Sequence, residues 1–131
     1  MLKINNLREG DIITVDDEGV MREGTVVKVS REEHQALVNN GIQEFWYTQE
    51  EMHGVPLDEA RLLRLGFVRE ELEAGVKYKK DSFRVFIPQK GNFSHMEMWW
   101  REDRRHFDFP LSLHEFQNLY LDMTKVYLEE A

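Results

Sequence analysis

The chain has 131 residues, 41% of them hydrophobic and 11% aromatic, which is enough apolar surface to order a domain and excludes a disordered or low-complexity protein. It holds no cysteine, which excludes disulfides, thiolate nucleophiles and cysteine-ligated zinc together. The formal net charge is −8, but residues 1–75 hold 8 Lys+Arg against 16 Asp+Glu, residues 76–106 hold 8 against 4, and the remainder holds 1 against 5. An acidic body with one basic stretch repels polyanions overall, so any contact with nucleic acid has to be local to that stretch.

Residues 1–47 read as short strands separated by turns. Gly10-Asp11 precedes an expected strand at Ile12–Val15, Asp16-Asp17-Glu18-Gly19 is a turn, and Gly24 opens a strand over Thr25–Ser30 with Val27 and Val29 on one face. A strand from His34 to Val38 follows, then the hairpin signal Asn39-Asn40-Gly41 and a last strand over Ile42–Tyr47. The pattern suits a small antiparallel barrel of SH3-like type, whose openings resemble Leu7-Arg8-Glu9-Gly10-Asp11 followed by Gly24-Thr25-Val26-Val27-Lys28-Val29.

Pro56–Phe67 reads as a short helix, with Asp58 as its cap, Leu57 and Leu62 as a hydrophobic staple, and Gly66 as a left-handed stop. A glutamate-rich break at Glu70–Gly75 then separates two halves. Residues 76–109 read as an antiparallel meander. A turn at Asp81-Ser82 places Lys80 opposite Phe83, with Val76, Tyr78, Val85 and Ile87 on one side and Lys77, Lys79, Arg84 and Phe86 on the other. A loop over Arg101–Arg104 places Trp100 opposite Arg105, with Met96, Met98, Phe107 and Phe109 on the core side and His95, Glu97, Trp99, His106 and Asp108 away from it.

The last helix begins at a capping box, Ser112 with Glu115, preceded by the staple pair Leu111 and Phe116. Phe116, Leu119, Tyr120, Met123 and Tyr127 recur at helical spacing and are expected to cover the meander's apolar face. The expected fold is therefore α+β: a lobe over residues 1–75 that is barrel-like and ends in a short helix, then a meander and terminal helix over 76–131, as two lobes or one compact domain.

Two constellations on the meander could carry function. Lys77, Lys79, Arg84, Phe86, Trp99 and His106 share its outer side and mix cations with rings, as platforms for single-stranded nucleic acid do; packing on the first lobe is the alternative use of that side. His95, Glu97, His106 and Asp108 share a face and include metal-ligating types, although Glu97 would sit directly across from Asp108 and no nucleophile accompanies the histidines. Ser112 is explained as a cap, and His34, His53 and His114 as surface histidines. No glycine leads into a helix as a phosphate-cradling loop does, so no cofactor is expected.

The segment Leu113-His114-Glu115-Phe116-Gln117-Asn118-Leu119-Tyr120-Leu121-Asp122-Met123-Thr124, with Gly54-Val55-Pro56-Leu57 and Leu62-Leu63-Arg64-Leu65-Gly66-Phe67, resembles a family of short uncharacterised bacterial proteins often found in phage-derived or mobile genetic regions. The resemblance implies no activity and no functional position. The sequence thus leads first to a non-enzymatic binding or accessory module acting through a protein partner or self-association, second to nucleic-acid binding through the basic meander face, and third to a metal-dependent or acid-base enzyme. No apolar run approaches the roughly 20 residues of a bilayer crossing, and the N-terminus lacks a signal-peptide hydrophobic region, so a cytoplasmic location without membrane contact is expected.

Overall fold

The structure, a computed structural model, describes residues 2–130. It is a mixed α+β fold with two five-stranded antiparallel sheets and a C-terminal helix. The chain divides into two units, Met1–Val55 with Ser112–Asn118, and Pro56–Leu111 with Leu119–Ala131. No helix among the described residues is long and apolar enough to cross a membrane.

In the first unit, β1 (Ile12–Asp17), β2 (Val20–Ser30), β3 (Gln35–Asn39), β4 (Glu44–Thr48) and β5 (Met52–His53) form a curled half-barrel in the order β4-β3-β2-β1-β5. The first hairpin turns at Glu18 and Gly19, both at positive φ, and the Asp16 carboxylate accepts the Gly19 N–H at 2.8 Å. β2 therefore starts at Val20, and Gly24 does not open it but lies within it opposite Ile13. A Cβ at Gly24 would stand 2.6 Å from Val38 Cγ1 and 2.8 Å from Asn39 O, so the glycine is there for close approach of neighbouring strands. A bulge between Val26 and Lys28 also corrects the face expected of this strand: Val26 is buried and Val27 is pushed outward. Leu7, Ile13, Val15, Val26, Ala36, Val38, Tyr47 and Met52 form the core.

In the second unit, α1 (Glu59–Arg64) is shorter than the expected Pro56–Phe67 but has the expected ends. Asp58 Oδ1 accepts the Arg61 N–H at 2.9 Å, Gly66 has φ +94, and the Phe67 N–H reaches back to Leu62 O. The next segment is not a break. β6 (Val68–Leu72) pairs with β7 (Gly75–Lys80) from Val68↔Lys79 to Leu72↔Gly75, so a boundary between residues 75 and 76 would cut a hairpin. Glu70 and Glu71 are compatible with a strand because β6 lies at the sheet edge.

β7, β8 (Phe83–Ile87), β9 (Met96–Trp100) and β10 (Asp103–Phe107) complete the sheet in the order β10-β9-β8-β7-β6. Lys80 pairs with Phe83 as expected. The last hairpin turns on Arg101 and Glu102 alone, with Arg101 at φ +57, so Trp100 pairs with Asp103 rather than Arg105. This slip of two residues preserves every face, because side chains alternate with period two. It does place Phe107 opposite Met96 and leaves Phe109 56% exposed instead of in the core.

Phe83 and Tyr120 lie with ring centroids 4.8 Å apart, and Phe67 stands edge-on to both. Tyr120 belongs to α2 (Leu113–Thr124), whose first six residues fall in the first unit and last six in the second. α2 stops at Thr124, with Lys125 in the left-handed region at φ +64, so Tyr127 lies outside the helix and is 63% exposed rather than part of its apolar stripe.

Candidate binding face

Strand alternation and the observed registers put six sequence-selected residues on one face of the second sheet. One cross-strand row is Glu70, Lys77, Phe86, Glu97 and His106; the adjacent row is Val68, Lys79, Arg84, Trp99 and Arg104. The opposite face holds the buried Val76, Tyr78, Val85, Ile87, Met96 and Met98. Lys77, Lys79, Arg84, Phe86, Trp99 and His106 are thus assembled together, half-buried to exposed.

Lys77, Lys79, Arg84 and Arg104 stand in these two rows against the carboxylates of Glu70 and Glu97, and a third carboxylate, Asp108, adjoins His106 on the same side. Lys77 Nζ and Lys79 Nζ lie 3.9 and 3.6 Å from the same Glu70 oxygen, so one carboxylate is shared by two ammonium groups. Such exposed pairs are weak and yield readily to a stronger anion. Arg84 is held by donating to the carbonyls of Asp81 and Phe83, which leaves its charge unneutralised. Arg104 sits over the Trp99 ring at 5.3 Å, and the two residues are paired across β9 and β10. The four-residue loop expected from the sequence puts Arg104 in the turn, whereas the observed two-residue turn puts it on this face.

The histidine and carboxylate set of the sequence is also brought together, in a different pairing. Glu97 lies across from His106, not Asp108, with His106 Nδ1 at 3.8 Å from its carboxylate. Asp108 Oδ1 lies 2.7 Å from His106 Nε2 and 3.3 Å from His95 Nδ1, and hydrogen bonds from the two rings hold its carboxyl below the usual range. The three side chains are more than half exposed, and Asp108 Oδ1 links the two rings. Among the described residues no group of three or more His, Asp or Glu is arranged to hold a metal ion.

A second concavity, wholly within the first unit, is a cleft of about 470 Å³ lined by Leu2, Lys3, Asn6, His53, Gly54, Ser112, His114 and Glu115. Its Ser112 and His114 resemble a nucleophile and base, with Oγ and Nδ1 3.0 Å apart. Yet Ser112 Oγ donates its one hydrogen to Glu115 Oε1 at 2.8 Å, and the same oxygen accepts the Ser112 N–H, the return half of a capping box. His114 Nδ1–H must then be the donor toward Oγ, so this ring cannot take the serine proton. His114 is buried rather than superficial, and burial lowers its pKa.

Asp11, 2% exposed, accepts the Arg8 N–H at 2.8 Å and the Asn118 amide at 3.2 Å; burial pushes its pKa up to about 7. Gln117, also buried, accepts the Ile12 N–H and donates to Gly10 O. These groups tie α2's first turns to the strand entry within one unit. No protein-family model matches the chain, and no curated protein or solved structure shows significant similarity to it.

Proposed function

We propose that the chain is a non-enzymatic binding module whose working surface is the outer face of the second sheet and whose ligand is single-stranded nucleic acid. The observation that carries this reading is the two adjacent rows that set Lys77 beside the Phe86 ring, whose other neighbour is Glu97, and Arg84 and Arg104 on either side of the Trp99 ring, with Lys79 next in the second row. Rings on an open sheet face stack bases without regard to sequence, while the flanking cations draw in the phosphates. The overall charge of −8 confines attachment to this face, which suits an accessory role rather than tight, extended wrapping. A protein partner with an acidic surface would use the same cations but has no need of two half-buried rings between them.

The test is fluorescence anisotropy of a labelled oligonucleotide at two salt concentrations. Three released phosphate contacts give a log–log slope of about −2, so affinity should fall about 20-fold between roughly 50 and 200 mM salt. The triple variant K77A/K79A/R84A should remove most of that slope, and Trp99→Ala should weaken binding about 10-fold or more while leaving the slope in place. Binding that is absent in the wild type, or indifferent to all four residues, refutes the assignment.

A further inference from the structure

We propose that the chain self-associates as a two-fold dimer through the open edge of β4. Each sheet has two edges, and three of the four carry familiar protection against pairing with another chain. β5 is only two residues long, β6 carries Arg69, Glu70 and Glu71, and β10 carries Asp103, Arg104 and Arg105. β4 has the sequence Glu-Phe-Trp-Tyr-Thr, without lysine, arginine or proline and with its single charge at one end. Its rings are not withdrawn: Phe45 is 51% and Trp46 41% exposed, and neighbouring Ile42 is 70% exposed.

The backbone shows which groups await a partner. Asn40 N–H donates to Gln43 O and Gln49 N–H to His34 O, which brackets the β3–β4 ladder. By the alternation of antiparallel pairs, Val38↔Phe45 and Ala36↔Tyr47 exchange hydrogen bonds, whereas Glu44, Trp46 and Thr48 turn their N–H and C=O to the open edge. Thr48 agrees with this, because its N–H is taken by Glu51 Oε1 at 2.9 Å instead of by β3.

Charge selects a second copy in antiparallel register as the occupant. A two-fold axis at Trp46 sets Trp46 against Trp46, Phe45 against Tyr47 of the other copy, and Glu44 against the neutral Thr48 of the other copy. Parallel pairing would instead set Glu44 against Glu44, which is repulsive. In the antiparallel register Trp46 N–H meets Trp46 C=O in both directions, and Glu44 N–H meets Thr48 C=O, while Thr48 N–H keeps its bond to Glu51. The edge is thus self-complementary, and one partner consumes it, so assembly stops at two copies.

Sedimentation velocity from low-micromolar to near-millimolar protein, without nucleic acid, tests this. The expected result is a monomer–dimer equilibrium in the wild type and a monomer throughout for Trp46→Lys, which places a cation on the edge. Hydrogen exchange on the wild type gives a second reading that requires no variant: the Trp46 amide should become protected as protein concentration rises, and the Phe45 amide should not change. A monomer at every concentration, assembly beyond two copies, undiminished dimer in folded Trp46→Lys, or a Trp46 amide insensitive to concentration each overturns the proposal.

Discussion

The two units each build a five-stranded antiparallel sheet, the second in chain order and the first with β5 returning beside β1, and they dispose of their polar groups in opposite ways. The first draws polar side chains inward: Asp11, Asn40 and Gln117 are buried and spend their atoms on backbone, on Asn118 or on Tyr47. The second turns most of its charges outward and along both edges and buries an apolar set beneath them, with Arg69 and Arg105 flanking that set in the row of Tyr78, Val85 and Met98. The first unit's polar groups are therefore tied to its fold, and the second unit's outer side chains are free to be replaced without loss of the fold. That difference is why the candidate site lies on the second sheet, and each experiment that follows strains it.

The sharpest contrast should come from the two faces of β8. Phe83, buried against Tyr120, has to be the costly residue: Phe83→Ala should destabilise by about 3–5 kcal/mol, whereas truncating Phe86 on the other face should cost well under half as much. Chemical denaturation of the two variants side by side measures this. Equal losses would mean that the outer face is as integral to the fold as the inner one.

The next largest effect concerns the buried acid of the first unit. Burial raises the Asp11 carboxyl to about 7, so between pH 4 and 7 the unfolded chain sheds a proton that the folded one keeps. Stability must then fall as pH rises through this window and level off above it, by about 4 kcal/mol for a shift of this size. Asp11→Asn remains neutral in both states and keeps an oxygen for Arg8 and Asn118. Its stability should be flatter between pH 4 and 7 than that of the wild type; an unchanged slope would show that the carboxyl is not the group responsible.

Gly24 sharpens the comparison at the backbone. Gly24→Ala drives a methyl group into Val38 and the Asn39 carbonyl, and should cost about 1–3 kcal/mol in thermal or denaturant unfolding. The same change at Gly54, in the cleft, meets its nearest atom, Ser112 Cβ, at 3.0 Å, so a smaller penalty is expected there.

Much of this architecture was readable from the residues, and the failures have a common cause. Parity along β7, β8 and β9 identified both faces of the second sheet, because alternation of Val, Tyr and Met with Lys, Arg and Trp is a local property. Capping at Asp58 and Ser112 was legible for the same reason. What escaped were features decided by a neighbour: the Val26 bulge, the burial of His114, the strand formed by Glu70 and Glu71 against β7, and the two-residue turn at Arg101. Arg101 and Lys125 take left-handed φ without being glycine, so the usual turn signal is missing there, whereas Asp81, a residue type that tolerates this region, marked its turn. The candidate face emerged nearly whole, lacking only Arg104, since a slip of two residues leaves faces intact. The open edge of β4 was invisible, because an edge is defined by which strand has no neighbour.

The smallest of these effects decides between chemistry and structure in the cleft. If Ser112 only helps to fasten the start of α2, Ser112→Ala removes the Oγ–Glu115 bond but keeps the backbone N–H bond to Glu115 and should lose no more than about 1 kcal/mol, and Asp58→Ala in the second unit, where the carboxylate accepts the Arg61 N–H, should lose about 1 kcal/mol. A nucleophile would behave otherwise. An activated hydroxyl requires a base free to accept its proton, and His114 Nδ1 is committed as a donor while Glu115 is occupied by the serine's own N–H and O–H. The diagnostic is a covalent probe: a fluorophosphonate should leave Ser112 unlabelled in the wild type at every pH where the protein is folded. Labelling at Ser112 would reverse the hydrogen-bond assignment and move the first unit from scaffold to active site.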